Sequence, residues 1–172
     1  PSFTAQSTNG EIHFPEDFGN KWKILFSHPK DFTPVCSSEI LELANAQQDF
    51  NDMNTRLVVV STDILEQHRS WKAALEEIHY QGKDPVQIKF PLVSDENHKI
   101  ADLYGMIHSA SSYSENIRGV YFIDPQNKVR AIQFYPNEVG RNTQEIKRTL
   151  LALQKTNSEQ NVVTPANWRP GD

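Results

Sequence analysis

The chain has 172 residues, 37% hydrophobic and 23% charged, with a formal net charge of −5. It is long enough for one core that buries about 70% of the surface its unfolded form exposes. Its acidity argues against non-specific binding to nucleic acid or anionic membranes, which needs a basic face. No apolar run approaches the roughly 18 residues of a membrane span, and a single cysteine excludes a disulfide-stapled secreted scaffold. Pro1-Ser2-Phe3-Thr4-Ala5 shows neither the basic stretch nor the apolar core of a signal peptide, so a cytoplasmic, reducing location is expected.

Residues 23–27 (KILFS) form a short apolar run that ends before Pro29 and read as a buried strand. Thr33-Pro34-Val35-Cys36 then opens a helix, with Thr33 as N-cap and Pro34 at the first helical position. Ile40, Leu43, Gln47, Phe50 and Met53 are spaced for one face of it. Residues 56–62 (RLVVVST) are β-branched and unbroken, as a central parallel strand requires. Asp63-Ile64-Leu65-Glu66 reads as a capping box opening a helix that carries Leu65, His68, Trp71, Leu75 and Ile78.

Residues 90–94 (FPLVS) read as a further strand, and 95–104 as a short helix stopped by Gly105. Residues 119–124 and 129–135 read as a hairpin around Pro125-Gln126-Asn127. Asn142 to Glu145 is another capping signal, opening a helix with Ile146, Leu150 and Leu153. After Asn157 the chain is polar and extended. The expected domains are thus 1–156, compact, and 157–172, a tail. The order of elements predicts an α/β, thioredoxin-like fold, a central mixed sheet flanked by helices, with the cysteine at the C-terminal edge of a central strand.

Cys36 falls at the third helical position. Backbone N–H groups there lack intrahelical partners, and the positive end of the helix dipole favours an anion, so the thiol is expected to ionise readily and act as a nucleophile. The bland alternative is a buried structural cysteine. Glu39 stands where a Cys-x-x-Cys motif would need its second sulfur. An oxidised Cys36 must therefore be resolved by an outside thiol or a second subunit.

These residues resemble the peroxiredoxins, most closely the one-cysteine, peroxiredoxin-six-type branch. The signature Pro-x-x-x-Thr-x-x-Cys is present as Pro29, Thr33 and Cys36. Branch-specific stretches match at Ser27 to Cys36, at Val139-Gly140-Arg141-Asn142 and at Thr164-Pro165-Ala166-Asn167-Trp168. The resemblance implies that Cys36 attacks the peroxide, that Thr33 and nearby N–H groups hold its oxygens, and that Arg118 pairs with thiolate and substrate. It places Pro29, Pro34 and Val35 around the sulfur, with Pro34 as a shield, and His28 and Arg141 along the pocket. Glu39 is implied to orient an arginine. Read without the motif, Arg118 is equally a solvated surface charge, His28 a hydrogen-bonded structural histidine, and Thr33 a helix cap.

Two departures from the branch stand out. Members with phospholipase activity carry Gly-x-Ser-x-Gly, whereas Gly19-Asn20-Lys21-Trp22-Lys23 has a lysine at the serine position, so that activity is not expected. The branch also continues for several tens of residues beyond the point where this chain stops, so the usual C-terminal extension is expected to be lacking.

The reading is therefore a thiol peroxidase acting on hydrogen peroxide and organic hydroperoxides through a Cys36 sulfenic acid. It is recycled by an external thiol such as thioredoxin or glutathione, needs no cofactor or metal, and is a homodimer with no nucleic-acid or membrane partner. A cysteine hydrolase using His28 as base and a non-enzymatic peroxide sensor or chaperone-like module are the competing readings. The six histidines show no ligand spacing for a structural zinc, and Trp71, Phe122 and Phe134 read as core.

Overall fold

The computed structural model describes residues 1–172, which group into two compact units, Pro1–Arg141 and Asn142–Asp172. The first holds a seven-stranded sheet in the order β2-β1-β5-β4-β3-β6-β7. Its strands are β1 (Phe3–Ser7), β2 (Gly10–Phe14), β3 (Trp22–Ser27), β4 (Thr55–Ser61), β5 (Leu92–Ser94), β6 (Arg118–Ile123) and β7 (Val129–Tyr135). Strands β3, β4 and β5 are parallel, and β6 runs antiparallel beside β3. The sheet is mixed and the fold is thioredoxin-like α/β. No helix is long and apolar enough to cross a membrane.

The helices of this unit are α1 (Pro34–Asp52), α2 (Leu65–Leu75) and α3 (Lys99–Tyr104). Strand alternation divides the sheet's side chains between two faces. Leu25, Val58, Val60, Val93, Tyr121 and Ile123 join Ile100 and Ala101 of α3 in one buried cluster. Ile24, Phe26, Val59 and Phe122, one residue out of step, are buried on the other face. Arg118 is in step with Phe122, so the sheet's alternation turns it to that second face as well.

Several local readings change. The β1–β2 hairpin, turned at Thr8-Asn9, is an addition to the elements expected from the sequence. Its strands are short and half polar, so only pairing in the sheet fixes them. Asp63 does not cap α2: Ile64 holds the N-cap position, and the Asp63 carboxylate instead accepts the Ser61 hydroxyl and the Asp31 N–H. Helix α2 also ends at Leu75, leaving Ile78 exposed. Phe134 is 46% exposed rather than core, because β7 is the last strand of the sheet.

Gly119 in β6 marks a close approach. A Cβ there would sit 3.0 Å from both Ser27 Oγ and the Tyr121 ring. Its absence lets the Gly119 N–H reach Ser27 Oγ at 2.9 Å, while Ser27 Oγ donates to Ile117 O at 2.7 Å, pinning the end of β3 to the start of β6.

The second unit contains α4 (Thr143–Ser158) and the chain after it. Asn142 caps α4 as the sequence suggests, its side chain accepting from Glu145 N at 3.0 Å. Trp168 in the following segment is buried, and its carbonyl accepts from Arg148.

Candidate active site

Thr33 is the N-cap residue of α1 by its extended backbone, and Pro34 begins the helix. Its hydroxyl makes no cap, however, because it turns back to donate to Lys30 O at 2.8 Å. Cys36 is therefore in the first turn of α1, at the positive end of the helix dipole, and is completely buried.

Arg118, at the first position of β6, brings Nη1 to 3.1 Å from Cys36 Sγ and 2.7 Å from Glu39 Oε1. Its Nε donates to Asn137 O at 2.8 Å. Three acceptors thus fix both the plane and the position of the guanidinium. The surface-charge reading of Arg118 is excluded, since the residue is 3% exposed.

Glu39, one turn along α1 from Cys36, joins the two arginines. Arg141 donates to Glu39 Oε2 through Nε at 2.7 Å and through its backbone N at 2.8 Å, and to Oε1 through Nη2 at 2.7 Å. Arg141 Nη1 satisfies Ser27 O and Gly119 O, and the guanidinium carbon lies 3.5 Å over the Phe26 ring. Burial raises the Glu39 carboxyl, but the hydrogen bonds and charge of Arg141, with Arg118 adding to them, outweigh it and hold the pKa below the usual value. Burial lowers Arg141, opposed by Glu39, and arginine remains charged under such shifts.

The remaining residues divide. Pro29 is buried and Val35 half-buried, while Pro34 is exposed on the first turn. His28 is fully buried but is not hydrogen-bonded to Cys36; its Nε2 lies 2.7 Å from Asp31 Oδ1. The hydrolase reading, with His28 as base for Cys36, is not supported by this arrangement. Asp31 also receives His68 of α2, so two of the six histidines meet in space despite their separation in sequence. Sequence reasoning missed Asp31, His68 and Asn137; the signal for His68 was its place on the buried face of α2.

The profile of the AhpC/TSA family matches residues 1–132, and that of the C-terminal domain of 1-Cys peroxiredoxin matches residues 152–172. A peroxiredoxin of Methanosarcina mazei is 48% identical over 173 residues, covering all of this chain and 78% of the relative. The 1-Cys peroxiredoxin of Dictyostelium discoideum is 37% identical, covering all of this chain and 69% of its own length. Among solved structures, a cysteine-to-serine mutant of the peroxiredoxin 6 of Arenicola marina superposes with a TM-score of 0.89 at 34% identity, covering all of this chain and 78% of that one. The yeast mitochondrial 1-Cys peroxiredoxin, in a study of thiol resolution via glutathione/thioredoxin systems, gives 0.88 at 39% identity, over all of this chain and 81% of that one. With a single cysteine at the start of α1, this chain belongs to the AhpC/TSA family as a one-Cys peroxiredoxin, a thiol peroxidase.

Proposed function

We infer that Cys36 is the peroxide-reducing cysteine, with Arg118 its cationic partner and Glu39 and Arg141 the frame that holds Arg118. The observation that carries this reading is the 3.1 Å contact between Arg118 Nη1 and Cys36 Sγ inside a buried helix start. The guanidinium stabilises negative charge on sulfur before reaction. It also stabilises charge developing on the departing oxygen, without having to reorganise.

In the proposed cycle the Cys36 thiolate attacks one peroxide oxygen, forming an S–O bond as the O–O bond breaks. The electron pair leaves on the second oxygen, which takes up a proton and departs as water or an alcohol. Cys36 is left as sulfenic acid. A first external thiol attacks that sulfur, releasing water and giving a mixed disulfide; a second thiol reduces it and restores Cys36. Hydrogen peroxide and organic hydroperoxides are the proposed substrates. Glutathione or thioredoxin is the proposed reductant, on the analogy of the yeast relative.

Thr33 is assigned to the peroxide oxygens, with Pro29, Pro34 and Val35 around them. Its hydroxyl hydrogen is donated to Lys30 O, which leaves the oxygen lone pairs to accept a hydrogen bond from a peroxide O–H. A homodimer is proposed through β7, the terminal strand of the sheet, whose unpaired edge and exposed Ile132 and Phe134 are a pairing liability in a monomer.

Rapid mixing of reduced protein with hydrogen peroxide, followed by intact mass, tests the assignment. Cys36 should gain one oxygen at stoichiometric peroxide, and added thiol should remove it with turnover. Stoichiometric oxidation that no thiol donor reverses would instead favour a sensor.

A further inference from the structure

The cluster that joins His28, Asp31 and His68 contains more protons than its appearance suggests. All three side chains are essentially buried, at 0%, 2% and 0% exposure. His68 Nε2 lies 2.8 Å from Val93 O, and a carbonyl only accepts, so Nε2 carries a hydrogen. His68 Nδ1 lies 2.5 Å from Asp31 Oδ2, and a lone pair facing a carboxylate at that distance is strongly repulsive. One more proton must lie between them. His28 Nε2, 2.7 Å from Asp31 Oδ1, needs a hydrogen as well.

His28 Nδ1 is buried and has no hydrogen-bond partner. A proton there would create a second buried cation with an unsatisfied donor, which is the most costly arrangement available. The protons are therefore three: two on or shared by His68 and one on His28 Nε2. Burial raises the Asp31 carboxyl, but its hydrogen bonds to His28 and His68 outweigh that and bring it down to about 2. Asp31 Oδ1 accepts from His28 Nε2 while Oδ2 faces His68 Nδ1, and a carboxylate that accepts at both oxygens leaves the shared proton on His68. The other charged group facing the cluster is Asp63, whose Oδ2 accepts the Asp31 N–H at 3.1 Å and the Ser61 hydroxyl at 2.6 Å.

Helix α2 grips the cysteine segment at a second point. Trp71, one turn after His68, packs against the His28 ring, tilted at 38° with centroids 5.0 Å apart, and donates through Nε1 to Ser37 Oγ at 3.1 Å, next to Cys36.

We propose that His68 is a positioning residue: as a buried imidazolium it holds the Asp31 carboxylate, which fixes His28 as the Nε2–H tautomer and anchors the 28–33 segment that delivers Thr33 and Cys36. The effect on peroxide reduction rests on the function inferred above, but the protonation states do not. His68 forms no bond with Cys36 or Arg118, and its influence runs through Asp31 and the chain between Asp31 and Cys36.

The test uses reduced, 15N-histidine-labelled full chain at neutral pH. Long-range proton–nitrogen correlation should show both His68 nitrogens protonated and His28 with an unprotonated Nδ1. A His68 with one unprotonated nitrogen overturns the proposal. Asp31→Asn keeps the spacing but removes the charge, so His68 should become neutral and protonated on Nε2 alone; a His68 still doubly protonated in that variant also overturns it. His68→Gln should slow Cys36 oxidation by about 10- to 100-fold, the scale of a misplaced reacting group, and should mix the His28 tautomers. A His68→Gln protein with dispersed spectra and the wild-type rate refutes the positioning role. Should His68→Gln not fold, Asp31→Asn supplies the same rate comparison. If wild-type Cys36 itself fails to react with peroxide, the peroxidase reading fails while the tautomer result is unaffected.

Discussion

Arg118 and Cys36 are 82 residues apart in sequence, yet Nη1 of one lies 3.1 Å from Sγ of the other. Strand β6 delivers the arginine and the first turn of α1 delivers the thiol. The shared partner Glu39 sets the distance between them, since it receives the same Nη1 at 2.7 Å.

Replacing Arg118 with Ala should slow peroxide reduction roughly 100-fold or more, the scale seen when one preorganised charge-stabilising donor is lost. Arg118→Lys should recover little, because an ammonium cannot reach Sγ, Glu39 and Asn137 O at once as the planar fork does. Stopped-flow oxidation kinetics on both variants check this, and a wild-type rate in Arg118→Ala would remove the arginine from the mechanism.

Glu39→Gln leaves two buried guanidinium groups sharing a neutral amide. Breaking a buried ion pair from one side costs about 3–5 kcal/mol, so the urea midpoint should fall sharply. The oxidation rate should fall with it, because Arg118 loses the acceptor that positions it. Unchanged stability would mean that the Glu39 contacts contribute only geometry.

Acid should act through Asp31. Its folded pKa, about 2, lies below the ordinary 3.8, so its contribution is fully present above pH ~4 and is lost as pH falls towards 2. By linkage that contribution is on the order of 2 kcal/mol for this buried group. Chemical denaturation across that range should show the loss in wild type and a flatter profile in Asp31→Asn. Equal slopes would place the acid sensitivity elsewhere.

With one cysteine in these 172 residues, sulfenic Cys36 has no internal thiol to meet. Graded peroxide without reductant should add one, two and then three oxygens at Cys36, and none there in Cys36→Ser. A disulfide-linked dimer as the main product at low peroxide would show that resolution occurs between subunits.

For the assembly, Phe134→Glu should shift the sedimentation coefficient from dimer to monomer. It puts a charge among the exposed side chains of β7 without touching the Cys36 site. A monomeric wild type at micromolar concentration would refute the proposed β7 interface outright.

The sequence by itself determined the local events. Thr33-Pro34 favours a helix start, because proline presets φ and lacks the N–H that a first turn leaves unused. Cys36 consequently stands in that first turn. The apolar run of β4, the β6–β7 hairpin and the Asn142 cap were readable for the same reason: period and capping act over a few residues.

Only the tertiary structure decided what crosses the sheet. The Glu39–Arg118–Arg141 frame and the His28–Asp31–His68 cluster join residues tens of positions apart, and no short-range pattern encodes their meeting. Asp63 illustrates the difference. Its sequence context favoured a cap, but a buried Asp31 N–H and the Ser61 hydroxyl required an acceptor, and satisfying buried donors outweighs a local preference at a solvent-accessible helix end.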